Sequence, residues 1–189
     1  MARSAPLREG FRSTSGGLRD SFPLRLYDKS KRLGVWDPSD LAFRRDREQW
    51  LELPDDERGA LTQIASLFLA GEEGVTLDLL PLVLTIAREG RLEEELYLTT
   101  FLFEEGKHTQ LFARFLDEVA GAPTDLERWH TPSYRAIFCD ELPRSMNALL
   151  DDRSAAAQAR AAVTYNMVVE GVLAEIDALA EEDSVASVA

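Results

Sequence analysis

The sequence predicts an all-α fold, and three observations support that prediction. No segment alternates apolar and polar residues over the length of a β-strand. Apolar residues recur instead at intervals of three and four in several segments, which is the spacing of one helix face. Acidic runs precede these segments and glycines follow them, which is typical of helix ends. A chain of 189 residues is long enough for one domain with a hydrophobic core.

Five helices are predicted, over residues 38–50, 54–90, 91–121, 134–150 and 154–182. Pro38 stands at the start of the first helix, where its missing N–H is tolerated. Gly90 and Gly121 terminate the second and third helices. Pro81 should kink the second helix and the fourth should be broken near Pro143, because proline cannot donate the helical hydrogen bond.

The two ends of the chain are predicted to be disordered. Residues 1–22 combine arginines with serine and glycine and lack the apolar stretch of a signal peptide. A disordered N-terminal arm is the favoured interpretation, and a transit peptide is the alternative. The helical domain is expected over residues 23–183, followed by a disordered tail over 184–189.

Composition excludes several classes of function. The net charge of −13 argues against nucleic-acid binding, which needs clustered Lys and Arg. The single cysteine, Cys139, excludes an internal disulfide framework and a cysteine-rich zinc site, and it suits the reducing cytoplasm. No apolar run reaches the roughly 18 to 20 residues of a membrane span.

Three glutamates occupy the apolar faces of three predicted helices. Helical neighbours lie three, four and seven residues apart. At those positions Glu72, Glu105 and Glu170 are surrounded mainly by Ala, Val, Leu, Phe and Met. His108 follows Glu105 by three residues, so both side chains can reach one point. Glu104 lies on another face with Lys107 and is expected to reach water.

Buried carboxylates need a compensating cation. No Lys or Arg lies on these apolar faces, whereas a di-metal carboxylate site in a helical bundle uses glutamates together with Glu-x-x-His pairs. Oxygen ligands with an imidazole suit iron or manganese. A lone Glu-x-x-His often arises by chance, and Glu127 with His130, in a polar connector between two prolines, is interpreted as such a coincidence.

Four segments resemble the ligand-binding oxidases related to ribonucleotide reductase small subunits: GVWDPSDLAFRRDREQW (34–50), AGEEGVTLDLLP (70–81), FEEGKHTQ (103–110) and TYNMVVEG (164–171). The resemblance implies a ferritin-like helical bundle, an Mn/Fe or di-iron centre that activates oxygen, a bound long-chain fatty acid and a homodimer. It assigns Glu72, Glu105, His108 and Glu170 as metal ligands. It also places Val75 and Tyr165 at the positions of a valine–tyrosine ether crosslink, although core packing explains both residues without it.

Three features depart from reductase subunits or from the family. Phe112 stands where tyrosyl-radical members carry their tyrosine, and the tail that docks on the reductase large subunit has no match, so ribonucleotide reduction is not expected. Trp36 matches an aromatic residue that serves electron entry in reductase relatives, and core packing is the alternative. No second Glu-x-x-His follows Glu170. The bundle is therefore expected to be incomplete, to lack two of six ligands, and to be marginally stable unless a partner or a second copy covers it.

Two other functions remain open at this point. A ferritin-type iron oxidase or storage module can use a site with a single histidine. A non-enzymatic helical remnant would bind a partner or a fatty acid without turnover. Iron uptake into a large hollow assembly would favour the first of these, and an absence of oxygen consumption after metal loading would favour the second.

Overall fold

The structure is a computed structural model, and it describes residues 10–171. No strand occurs among these residues, which confirms the all-α prediction. The α-helices are α1 (Arg12–Gly16), α2 (Phe22–Leu33), α3 (Arg44–Trp50), α4 (Asp55–Asp78), α5 (Leu80–Arg88), α6 (Leu92–Glu118), α7 (Pro132–Arg135), α8 (Leu142–Asn147) and α9 (Ala155–Val163). Short 3-10 segments are Pro38–Asp40, Leu126–Trp129 and Ala148–Leu150, and π-helical segments are Ala136–Glu141 and Thr164–Val169.

The two longest helices, α4 and α6, pack along each other, and α2 and α5 lie against α6. The helical segments Ala136–Glu141 and Leu142–Asn147 also contact α4. The core lies between them and is formed by Val75, Leu79, Tyr134, Phe138, Leu142, Met146, Leu149, Ala161, Tyr165 and Val169. None of the described helices has the length and apolar character needed to cross a membrane.

The second predicted helix is divided into two helices near Pro81, whereas only a kink was expected. The helix expected over 54–90 is two helices, because α4 ends at Asp78 and α5 begins at Leu80. Pro81 lies in the first turn of α5, where its missing N–H has no helical partner to lose. Gly90 follows with a φ of 71°, a backbone conformation that favours glycine and ends the helix as predicted.

Two other predicted helices contain wide turns. Residues 132–150 stay helical through Pro143, because the π segment Ala136–Glu141 immediately precedes it. Ser154 caps α9 by accepting a hydrogen bond from the Ala157 N–H, as its position predicts. The same helix then widens into the π segment Thr164–Val169 and continues to the last described residue, so the predicted extension to 182 lies outside the described residues.

The N-terminal region contains two helices that the sequence did not predict. Within the arm expected to be disordered, α1 forms a short helix, and α2 begins at Phe22 with Ser21 as its N-cap. The helix expected over 38–50 is a 3-10 turn followed by α3 from Arg44. The other parts of the arm and tail predictions, residues 1–9 and 184–189, lie outside the described residues.

Candidate metal centre

Glu72, Glu105 and His108 come together between α4 and α6. One ligand atom from each of the three side chains lies within 4.8 Å of the other two. His108 Nδ1 is 3.5 Å from Oε2 of Glu72 and 3.6 Å from Oε2 of Glu105. Both glutamates are 7% exposed, whereas the His108 side chain is 40% exposed. The three groups therefore converge on one point that is open on the imidazole side.

Burial disfavours the charged form of both carboxylates when no cation is bound, and the pKa values of the group reflect this. Burial raises the pKa of Glu72 to about 7, because it disfavours the charged form. Burial also acts to raise the pKa of Glu105, but hydrogen bonds with His108, Glu72 and Tyr165 hold it below its usual value. Hydrogen bonds with Glu105 and Glu72 raise the pKa of His108 to about 10. The imidazolium thus supplies positive charge that a divalent ion would supply instead, with release of protons.

Glu170 lies at the end of the second π segment, beside Tyr165. It is half-buried, and burial raises its pKa, while its hydrogen bond with Tyr165 acts in the opposite direction. It interacts electrostatically with Glu105 and His108. The group whose ligand atoms lie within 4.8 Å of one another nevertheless contains, among the described residues, Glu72, Glu105 and His108 without Glu170. The third predicted carboxylate is therefore at the edge of the centre.

Tyr165 and Val75 both belong to the buried core next to the carboxylates. The Tyr165 hydroxyl donates a hydrogen bond to Oε1 of Glu105 over 3.2 Å. Burial and the negative charges of Glu105 and Glu170 raise the pKa of Tyr165 above its usual value, so the phenol is a neutral donor. Val75 is 1% exposed and lies in the same core cluster, one turn after Glu72.

One face of the His108 ring contacts Trp36, which belongs to a polar cluster that the sequence did not predict. The Trp36 indole stacks on the His108 ring, with centroids 5.7 Å apart. Its Nε1 donates to Oε2 of Glu104 over 2.9 Å. Lys107 is buried, pairs with Glu104 at 2.8 Å and lies 4.6 Å from the centre of the Trp36 ring. The Glu104 side chain is 29% exposed, so it still reaches water, as expected, while Trp36 and Lys107 bind its carboxylate.

Glu127 and His130 lie away from this centre. His130 Nε2 is 3.4 Å from the hydroxyl of Ser66, and its ring stacks on Tyr134. Neither Glu127 nor His130 joins the three-residue group. The His130 ring therefore has a packing role between α4 and the connector, as expected for a coincidental Glu-x-x-His.

The donor set fits a redox-active divalent metal better than a structural zinc ion. Two buried carboxylates and an imidazole suit iron or manganese, whereas structural zinc favours several thiolates. Cys139 is exposed and does not belong to the group. Glu72, Glu105 and His108 would hold the metal, and Glu170, the fourth predicted ligand, interacts electrostatically with Glu105 and His108.

Comparison with known proteins supports this interpretation. No family model matches the chain. The fold is similar to three solved structures of mutant R2-like ligand-binding oxidases: a Tyr-to-Phe mutant with an aerobically reconstituted Mn/Fe cofactor, and a Gly-to-Leu and a Val-to-Leu mutant with anaerobically reconstituted Mn/Fe cofactors. Each is 40% identical in sequence, with a TM-score of 0.85.

Each of these matches covers 89% of this chain and 62% of the solved chain, so the protein spans about three fifths of the length of these oxidases. The fold, the sequence identity and the converging carboxylates agree with one another. Over this shared part, the chain is similar to the R2-like ligand-binding oxidases, ferritin-like proteins related to the small subunit of ribonucleotide reductase.

Proposed function

We propose that the protein is an oxygen-activating oxidase with an Mn/Fe or di-iron centre held by Glu72, Glu105, His108 and Glu170. The observation that carries this proposal is the convergence of Glu72, Glu105 and His108 within 4.8 Å, with both carboxylates buried. When bound, the metals would supply the redox chemistry with oxygen. The similar solved proteins carry an Mn/Fe cofactor, which supports the same choice of metals here.

The protein side chains have separate roles in this proposal. Glu72 and Glu105 offer negative charge from two helices that pack along each other, so the metal would fix α4 against α6. Tyr165 holds Glu105 in one orientation through its hydroxyl. Trp36 stacks on one face of the His108 ring and restricts its orientation.

We further propose that Val75 and Tyr165 form an ether crosslink when the metal-loaded protein meets oxygen. The new bond would join Val75 Cβ to the Tyr165 oxygen, and each residue would lose one hydrogen, with oxygen as the oxidant. Both side chains lie in one buried cluster, next to the carboxylate that Tyr165 contacts. Their burial would exclude water from the reacting atoms.

The proposed ligand is a long-chain fatty acid, and the proposed assembly is a homodimer in the cytoplasm. Apolar side chains are exposed next to Glu170, namely Val163, Met167 and Val168. Exposed apolar surface of this kind marks a ligand or protein contact. Organic extraction followed by mass spectrometry would identify a bound fatty acid, and sedimentation would determine the assembly.

The crosslink gives the most specific test of the proposed function. The protein is loaded anaerobically with Mn(II) and Fe(II), exposed to oxygen and digested with a protease. The expected product is a pair of joined peptides, carrying Val75 and Tyr165, with a mass two hydrogens below their sum. Tyr165→Phe should abolish it and Tyr97→Phe should not. Oxygen consumption with iron storage in a large assembly, and without a crosslink, would favour a ferritin-type iron oxidase.

A further inference from the structure

A further buried carboxylate, that of Asp78, lies apart from the metal centre at the end of α4. It is 7% exposed. No hydrogen-bond donor or cation among residues 10–171 contacts its side chain, and burial raises its pKa. Buried carboxylates are ordinarily paired or hydrogen-bonded. Within residues 10–171 the carboxylate therefore has no protein partner, and its oxygens are not among the fully enclosed atoms.

Asp78 lines a cavity of about 650 Å³ formed by α4, α5, α6 and the helices around residue 148. The walls are mainly apolar and include Pro81, Val83 and Leu84. Several of the lining leucines are strongly exposed to solvent, namely Leu77, Leu80 and Leu150. A volume of this size is within the range of small-molecule sites, which combine apolar walls with a few polar groups.

The ionisable side chains that line the cavity are all acidic. Its ionisable members are Asp78 and the half-buried Glu95, and Asn147 adds an uncharged amide. No Lys, Arg or His lines the cavity among the described residues. A ligand that complements this lining carries a positive charge at one end and hydrocarbon elsewhere.

We propose that this cavity binds an amphiphilic organic cation of the alkylammonium class, whose ammonium group pairs with Asp78. The hydrocarbon chain would lie along Leu80, Leu84 and Leu150. Charge-assisted hydrogen bonds of this kind are stronger than neutral ones, and burial strengthens them further. The site is independent of the metal centre and of the oxidase activity proposed above, since none of the candidate metal ligands lines it.

Isothermal titration of the metal-free 189-residue chain with three ligands of equal chain length tests the proposal. The ligands are hexylammonium, 1-hexanol and hexanoate. Hexylammonium should bind at least tenfold more tightly than 1-hexanol, and hexanoate should bind most weakly. Equal affinity for all three, tighter binding of hexanoate, or no binding of hexylammonium would overturn the proposal.

A matched pair of variants identifies the residue responsible. Asp78→Asn keeps the shape of the side chain and removes its charge, so the affinity for hexylammonium should fall at least tenfold while that for 1-hexanol stays the same. Asp140→Asn removes an exposed carboxylate elsewhere and should change neither affinity. An unchanged affinity in Asp78→Asn would exclude Asp78 as the anchor. If circular dichroism shows that Asp78→Asn is unfolded, the comparison of the three ligands on the wild-type chain decides alone.

Discussion

The hydroxyl of Tyr165 donates a hydrogen bond to Oε1 of Glu105 over 3.2 Å, and this contact joins the second π segment to α6. The two residues are 60 positions apart in the chain and are 3% and 7% exposed. The wide turn of a π segment changes which side chains face a neighbouring helix, and such segments are frequent at functional sites. Tyr165 thereby supports one of the two buried carboxylates of the candidate metal centre.

Tyr165→Phe should lower the free energy of unfolding of the metal-free protein by about 1.5 to 3 kcal/mol. The substitution removes a buried hydrogen bond to a carboxylate, and bonds to charged groups contribute about that much. Urea denaturation followed by circular dichroism measures the change. Tyr97→Phe is the control, because no hydrogen bond to the Tyr97 hydroxyl is formed by the described residues. Equal losses in the two variants would show that the contact with Glu105 adds nothing.

Lys107→Met should loosen the segment that carries Trp36. Lys107 donates to the carbonyl oxygens of Gly34 and Trp36 at 3.2 and 3.3 Å and pairs with Glu104. Leaving these partners without a donor should cost about 1 to 3 kcal/mol. Quenching of tryptophan fluorescence by iodide should increase in this variant.

Lys31→Met serves as the control for this experiment. Lys31 also pairs with a carboxylate, that of Asp28, and lies over the Tyr27 ring, but it is about half exposed. Exposed ion pairs contribute about 0 to 1 kcal/mol, so stability and quenching should stay close to the wild type. The structural role given to Lys107 would be wrong if the two variants behaved alike.

The contact between Arg12 and Glu93 should make stability depend on pH in the acid range. The guanidinium binds both carboxylate oxygens, at 2.5 and 2.6 Å, and the Arg19 N–H donates to one of them. The hydrogen bond with Arg12 lowers the pKa of Glu93 to about 2. A pKa lowered in the folded state stabilises the protein above the ordinary glutamate pKa, and this contribution is lost as the pH falls through about 2.

Arg12→Met should therefore be less stable than the wild type near pH 6, and the difference should vanish as the pH approaches 2. Thermal unfolding over this pH range measures it. Glu48→Gln, which removes an exposed ion pair with Arg44, should show no comparable dependence. A difference between Arg12→Met and wild type that does not change with pH would contradict the assigned pair.

The sequence predicted the long helices and the buried glutamates because both follow from local spacing. The apolar faces around Glu72 and Glu105 are read from positions three, four and seven residues away, and the structure buries both side chains. The four segments at residues 34–50, 70–81, 103–110 and 164–171 also predicted the similarity to the oxidase family. Spacing alone does not fix turn width, so the π segment that carries Tyr165 was not predicted.

The other features that the sequence did not predict depend on contacts between distant parts of the chain. Arg12 is held by Glu93 across 81 positions, which gives a defined place to a segment whose composition predicted disorder. Lys107 is buried because the carbonyl groups of residues 34 and 36 meet it. The burial of Asp78 depends on the helices that pack around α5, so the spacing within α4 does not predict it.

Metal titration of the anaerobic protein tests the central claim most directly, namely that Glu72, Glu105 and His108 face inward to hold divalent cations. Calorimetric titration with Mn(II) or Fe(II) should show at least one ion bound per chain, and the bound ion should raise the unfolding temperature. Glu105→Gln should weaken binding at least tenfold. Glu73→Gln is the control, because Glu73 is next to Glu72 in the chain but does not belong to the three-residue group, and this variant should bind metal like the wild type. Wild-type protein that binds no ion, or that loses no affinity in Glu105→Gln, would contradict the claim.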